Sequence, residues 1–98
     1  MQSRDDILRV IESRGPELRK LGVRSLGLFG SRARGTERAD SDLDFVVALD
    51  KRTFDSYMDV KLFLEDLFGR RVDLVLSESI KPRLRKTILD EAVHAPGF

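Results

Sequence analysis

Residues 30–47, with the sequence GSRARGTERADSDLDFVV, decide how the chain is interpreted. The stretch opens with Gly30 and Ser31 directly after an apolar run, and a second apolar run at its end carries Asp42 and Asp44. A polar loop separates the two parts. This pattern predicts a strand, a turn with the start of a helix, and a second strand with acids on one face.

The acids of the second strand are spaced so that they can act together. Asp42 and Asp44 lie two residues apart, so their side chains point to one face of a sheet, with Cα atoms roughly 6.5–7 Å apart. Two adjacent carboxylates repel each other unless a cation lies between them. Leu43 and Phe45 point the other way, into the core. Taken alone, an Asp-x-Asp pair is more often the solvated start of a strand than a metal site.

A third acid lies in a later apolar run, VDLVL at residues 72–76. We interpret this run as a central strand, where burying Asp73 without a partner or a metal ion is costly. If this strand lies beside the strand that holds Asp42 and Asp44, all three acids can face one side. The alternative is an edge strand with Asp73 in water or in a salt bridge to an arginine.

The Gly30-Ser31 turn predicts a site for an anion. A glycine between a strand and a helix start exposes backbone N–H groups at the positive end of the helix dipole. Ser31 adds a hydroxyl donor, and Arg34 is a candidate for a phosphate contact or for a salt bridge to an acid. An ordinary turn capped by Ser31 explains the two residues equally well. Neither GxxxxGK[ST] nor GxGxxG occurs, so the commonest phosphate loops do not apply.

The rest of the chain alternates helical and strand patterns. We expect an N-terminal helix followed by a short helical turn, strands at 23–29, 42–49 and 72–76, a one-turn helix near 31–34, and helices at 53–68 and 82–93. The order α-β-α-β-α-β-α predicts one α/β or α+β domain over residues 1–98. Its three-stranded mixed sheet should pair the first two strands antiparallel and the last two parallel. The tail HAPGF should fray, and Phe54 should face the core.

Composition excludes several classes of site. Eighteen basic and seventeen acidic residues in 98 give a net charge of +1, which argues against a dedicated nucleic-acid or membrane-surface binder. There is no cysteine and one histidine, so a thiolate or multi-histidine metal site is excluded. A metal must then use oxygen ligands, which favours Mg²⁺ or Mn²⁺. No signal peptide or membrane span is evident, so we expect a cytoplasmic protein.

The motifs GSRARG, SDLDFVV and VDLV together resemble the nucleotidyltransferase (DNA polymerase beta-like) superfamily, and within it the minimal nucleotidyltransferase (MNT) group. The resemblance implies that Gly30 and Ser31 hold a nucleoside triphosphate, with Arg34 as an added phosphate contact. It also implies that Asp42, Asp44 and Asp73 are catalytic ligands of two Mg²⁺ ions. The reaction would be in-line attack of an acceptor hydroxyl on the α-phosphate, with loss of pyrophosphate.

Members of the MNT group pair with HEPT-domain toxins, so the resemblance implies that this chain is an antitoxin. It would transfer AMP from ATP to a tyrosine of the toxin (AMPylation). A small acceptor such as an antibiotic and a binding-only antitoxin are the alternatives. Four cations in residues 81–86 form either a solvated helix face or a contact with the nucleotide or an acidic partner: Lys81, Arg83, Arg85 and Lys86.

Overall fold

The computed structural model describes residues 4–29, 43–95 and 98. The described residues form four helices: α1 (Arg4–Ser13), α2 (Gly15–Lys20), α3 (Phe54–Phe68) and α4 (Pro82–Glu91). They also form four strands: β1 (Val23–Phe29), β2 (Leu43–Leu49), β3 (Val72–Leu76) and β4 (Val93–His94). A 3₁₀ turn at Ser77–Ser79 follows β3. The predicted one-turn helix near 31–34 lies outside the described residues, and none of the four helices is long and apolar enough to cross a membrane.

The sheet has the strand order β3-β2-β1-β4. β1 and β2 pair antiparallel and β2 and β3 pair parallel, as the lengths of the connections predict. The prediction of three strands is wrong, because the chain after α4 pairs with β1 instead of fraying. Val93 and His94 align antiparallel with Leu28 and Gly27, and the backbone N–H of Ala95 donates to the carbonyl of Leu26 at 3.1 Å.

Local signals set the ends of α3. The hydroxyl of Thr53 accepts a hydrogen bond from the backbone N–H of Ser56 at 3.1 Å, and Gly69 ends the helix in the left-handed conformation, with φ 63°. Both ends agree with the predicted helix at 53–68. The prediction that Phe54 faces the core is wrong, because this first helical residue lies at the margin of the apolar arc and is 75% exposed.

The hydrophobic core lies between one face of the sheet and the helices. Leu43, Phe45 and Val47 of β2 are fully buried on this face, and the rings of Phe45 and Phe68 stack with centroids 6.0 Å apart. The helices contribute further buried side chains: Ile7, Ile11, Leu18, Val60 and Leu64. Alternate β2 residues must then point to the opposite face of the sheet, and these include Asp44 and Val46.

The end of α4 packs on this second face. A Cβ atom on Gly27 would lie 3.3 Å from Cγ1 of Val46 and 3.4 Å from Cβ of Ala92, so only glycine allows this approach without a local shift. Val46 is 2% exposed as a result. The second face is therefore covered near Gly27 and Val46, and Val46 lies two residues after Asp44 along β2.

Candidate active site

Asp44 and Asp73 are partners in the register of β2 and β3. The strands run parallel, so the two residues lie side by side at a spacing of about 4.8 Å, with their side chains on the same face. The structure thus brings together two of the three predicted acids. Asp42 lies outside the described residues, and no group of three possible metal-ligating side chains is found among the residues that are described.

Asp73 has a different environment from the one we predicted. β3 is an outer strand of the described sheet, not a central one, and Asp73 is exposed while Val72 and Leu74 are each 3% exposed on the core side. The interpretation of VDLVL as a central strand is therefore wrong. Because Asp73 is exposed, the cost of burying it no longer argues for a metal ion. A shared site is supported instead by the position of Asp73 beside the half-buried Asp44.

β1 ends at the edge of the sheet where Asp44 and Asp73 lie. Phe29, its last residue, is the register partner of Asp44 on the other side of β2. Phe29, Asp44 and Asp73 therefore form a row across three strands. Gly30 follows Phe29 directly in the sequence. The predicted nucleotide-binding residues Gly30, Ser31 and Arg34 lie outside the described residues, so their roles remain predictions.

Two side chains of α3 fix β3 on either side of Asp73. The Tyr57 hydroxyl donates to the carbonyl of Leu74 at 2.7 Å, and the backbone N–H of Val72 donates to Oε2 of Glu65 at 3.0 Å. Both bonds satisfy backbone groups of an outer strand that would otherwise lack partners. Neither bond was predicted from the sequence. The one feature of the sequence that points to Glu65 is that this acid lies near the end of a helix, shortly before an outer strand with unpaired backbone groups.

The basic cluster at 81–86 does not lie beside these acids. Asp44 and Asp73 lie at the starts of β2 and β3, whereas α4 begins after β3 has ended. Val47 and Leu76, the last aligned pair of these strands, are three residues farther along, or roughly 10 Å by strand rise. All four cations are exposed. The structure therefore favours the surface interpretation of the cluster over a contact with the predicted nucleotide.

A cavity of about 380 Å³ also lies at the other end of the sheet. It is lined by α2, the turns before β1 and after β2, and the start of α3, including Gly22, Asp50 and Ser56. Val23 pairs with Leu49 at this end, and Phe29 pairs with Asp44 at the opposite one. The cavity is therefore separate from the pair of acids, and its mixed charges indicate no single ligand.

The chain is similar to known proteins over nearly its whole length. The nucleotidyltransferase domain family matches residues 7–94. Protein adenylyltransferase MntA of Thermococcus cleftensis is 36% identical over 96 residues, which are 96% of this chain and 97% of that protein. A candidate protein adenylyltransferase of Methanocaldococcus jannaschii is 35% identical over 79 residues, which are 76% of this chain and 79% of that protein.

Solved structures agree with this result. A candidate minimal nucleotidyltransferase is 38% identical, with a TM-score of 0.74 and 95% of each chain covered. A chain from a complex of an MNT antitoxin with a tri-AMPylated HEPN toxin of Shewanella oneidensis has a TM-score of 0.65 at 19% identity, and the match covers 93% of this chain and 73% of that one. At that identity the likeness shows the fold alone. The α+β fold, the family match and the near full-length relatives establish that the chain belongs to the nucleotidyltransferase domain family, as an enzyme of the minimal nucleotidyltransferase kind.

Proposed function

We propose that this enzyme is a Mg²⁺-dependent protein adenylyltransferase that transfers AMP from ATP to a tyrosine of a HEPT toxin and so acts as its antitoxin. The observation that carries the proposal is the alignment of Asp44 with Asp73 on the same face of adjacent strands. This alignment gives two carboxylates to one site in a chain of the nucleotidyltransferase family.

The relatives support a protein acceptor. The MntA protein of Thermococcus cleftensis is named a protein adenylyltransferase, and it matches this chain over nearly the full length of both. The complex from Shewanella oneidensis contains an AMPylated toxin beside its MNT antitoxin, and another toxin–antitoxin structure with this fold contains AMP-PNP, a nucleotide analogue. These observations favour AMP transfer over the binding-only and small-acceptor alternatives.

The two described acids fit a divalent cation. Asp44 is half-buried and Asp73 is exposed, and both supply the oxygen ligands that Mg²⁺ prefers. Asp42, two residues before Asp44, is the proposed third carboxylate. When bound at these residues, two Mg²⁺ ions would neutralise charge on the triphosphate and polarise the acceptor oxygen. Mn²⁺ is the proposed substitute, because it accepts the same ligands.

The protein residues have separate proposed roles. Gly30 and Ser31 donate to the triphosphate, and Arg34 compensates its charge. Asp73, on the outermost described strand, faces the acceptor and receives the proton of the tyrosine hydroxyl. The tyrosine oxygen then forms a bond to the α-phosphorus of ATP while the bond from that phosphorus to the bridging oxygen of the β-phosphate breaks. AMP–tyrosine and pyrophosphate are the products.

The test uses the purified chain, a co-expressed HEPT partner, Mg²⁺ and ATP labelled at either the α- or the γ-phosphate. We expect label from the α-phosphate alone to appear on a partner tyrosine. Asp44→Asn and Asp73→Asn should each lower the transfer rate by about a hundredfold or more. Glu12→Gln, an exposed change on α1, is the matched control and should leave the rate unchanged.

Other outcomes would refute the proposal. Label from the γ-phosphate would indicate phosphoryl transfer. Toxin neutralisation by the doubly substituted chain, Asp44→Asn with Asp73→Asn, would indicate a binding-only antitoxin. Transfer to a small acceptor with none to the partner would indicate the antibiotic-type alternative.

A further inference from the structure

One side of α3 exposes large apolar side chains to solvent. Phe54 and Leu62 are 75% and 54% exposed, and in the part of the chain that the structure describes no other large apolar side chain is as exposed. The half-buried Met58 lies between them. Because the three residues are spaced four apart, they form one ridge along two turns of the helix, which we name the α3 stripe. A continuous apolar ridge, unlike a single exposed side chain, is typical of a contact surface.

The α3 stripe runs beside the outer edge of β3. The hydroxyl of Tyr57 and the carboxylate of Glu65 hydrogen-bond to backbone groups of β3, the outermost described strand on this side of the sheet. Phe54 is three residues from Tyr57, and Leu62 is three residues from Glu65. Residues at this spacing are neighbours on a helix surface. The α3 stripe therefore borders the side of the helix that reaches β3.

β3 connects the α3 stripe to the candidate active site. The two hydrogen bonds from α3 end on residues 72 and 74, on either side of Asp73. Leu62 lies between Tyr57 and Glu65 along α3, so it is at about the level of Asp73. The helix packs on the core side of the sheet and Asp73 points to the second face, but only the outermost described strand lies between them. A partner that rests on the α3 stripe can reach Asp73 around the edge of one strand.

Three exposed aspartates border the α3 stripe on the side away from β3, and we name them the acidic rim: Asp55, Asp59 and Asp66. Each is three or four residues from Met58 or Leu62, and so is a neighbour of the stripe on the helix surface. Within the described ranges, none of the three forms a salt bridge. Carboxylates beside an apolar ridge favour a partner that combines apolar side chains with lysine or arginine.

We propose that the α3 stripe and the acidic rim bind a basic amphipathic helix of the partner protein whose tyrosine accepts AMP. The ridge on α3 would pack into a groove of that helix, and cations of the helix would meet the acidic rim. This inference rests on the proposed function, because it takes a protein as the acceptor. It adds the surface that holds this protein while its tyrosine lies at Asp73.

The first test removes the apolar ridge. Phe54→Ala with Leu62→Ala should raise the dissociation constant for the purified HEPT partner, measured by calorimetric titration into the full chain, by about tenfold or more. In AMP transfer the same variant should raise the KM for the partner and leave kcat within about twofold of the wild type, because the stripe binds but takes no part in the chemistry. Leu84→Ala is the matched control: this leucine of α4 is 47% exposed, and its loss should change neither value.

The second test removes the charge of the acidic rim. Asp55→Asn, Asp59→Asn and Asp66→Asn in one chain should raise the dissociation constant by about threefold or more at low salt. The same variant should also bind with a weaker dependence on salt than the wild type. Glu12→Gln, an exposed change on α1, should alter neither. Circular dichroism during thermal unfolding verifies that each variant is folded.

Several results would overturn this inference. They are a wild-type chain that does not bind the partner, unchanged binding in the stripe variant, and an equal loss in Leu84→Ala. A wild-type dimer that the stripe variant dissociates would overturn it as well, by assigning the stripe to a second copy. Normal AMP transfer by the stripe variant at low partner concentration would overturn it and leave the proposed function intact. Binding that requires the stripe, without any AMP transfer, would support the docking surface and refute the proposed reaction.

Discussion

The two ends of the sheet hold their charged groups in different ways. At one end Asp44 and Asp73 belong to paired strands, and hydrogen bonds from α3 fix the backbone on both sides of Asp73. At the other end the cations at the start of α4 project from the helix surface into solvent. Chemistry needs groups that are held in place by a rigid scaffold. The difference favours the end that holds Asp44 and Asp73 as the proposed reaction site.

The largest expected effect on stability compares two phenylalanines. Phe45→Ala should lower the free energy of unfolding by about 3–5 kcal/mol, because Phe45 is fully buried and stacks on Phe68. Phe54→Ala, at the start of α3, should change it by less than about 0.5 kcal/mol, because this side chain is exposed. Urea unfolding of both variants at low protein concentration measures this. Equal losses would show that Phe54 also belongs to the core.

The next effect is on the reaction. Asp73→Asn should abolish most AMP transfer while the midpoint of urea unfolding stays within error of the wild type, since the side chain is exposed. Lys81→Gln, at the other end, should leave the rate with a saturating partner within about twofold of the wild type, because charges at that distance are screened. A comparable loss of rate in both variants would contradict the separation of the two ends.

A smaller effect tests how β3 is held. Glu65→Ala leaves the backbone N–H of Val72 without its partner and should cost about 1–2 kcal/mol of stability. Glu65→Gln keeps an acceptor oxygen and should restore most of the loss. Urea unfolding gives the stability, and hydrogen exchange at Val72 reports the bond itself. Full loss in Glu65→Gln would show that the charge of Glu65, not its hydrogen bond, is what stabilises β3.

The smallest effect concerns the approach of α4 to the sheet. Gly27→Ala should cost about 1 kcal/mol, because the added Cβ would lie 3.3 Å from Val46 and 3.4 Å from Ala92. Gly69→Ala is a matched comparison in which the added Cβ meets no atom within 4 Å but the backbone φ of 63° is strained. Gly27→Ala should increase hydrogen exchange at β4, and Gly69→Ala should not.

Local features of the sequence predicted much of this molecule. Thr53 and Gly69 marked the ends of α3, and connection lengths predicted the pairing of the first three strands. β4 was not predicted, because a strand of two residues is too short to show an alternation of apolar and polar side chains. Proline and glycine also follow it closely. The outer position of β3 was missed because strand order depends on contacts between distant segments. For the same reason the sequence did not reveal Glu65 as the partner of Val72.

The central claim is that Asp44 and Asp73 act together on one nucleotide–metal complex, and calorimetric titration of Mg²⁺ and ATP into four chains tests it most directly. The chains are the wild type, Asp44→Asn, Asp73→Asn and the double variant. Neighbouring groups that share one ligand give non-additive losses. We predict that each single substitution weakens binding about as much as the double one does. Losses that simply add, or unchanged binding in Asp73→Asn, would contradict the account.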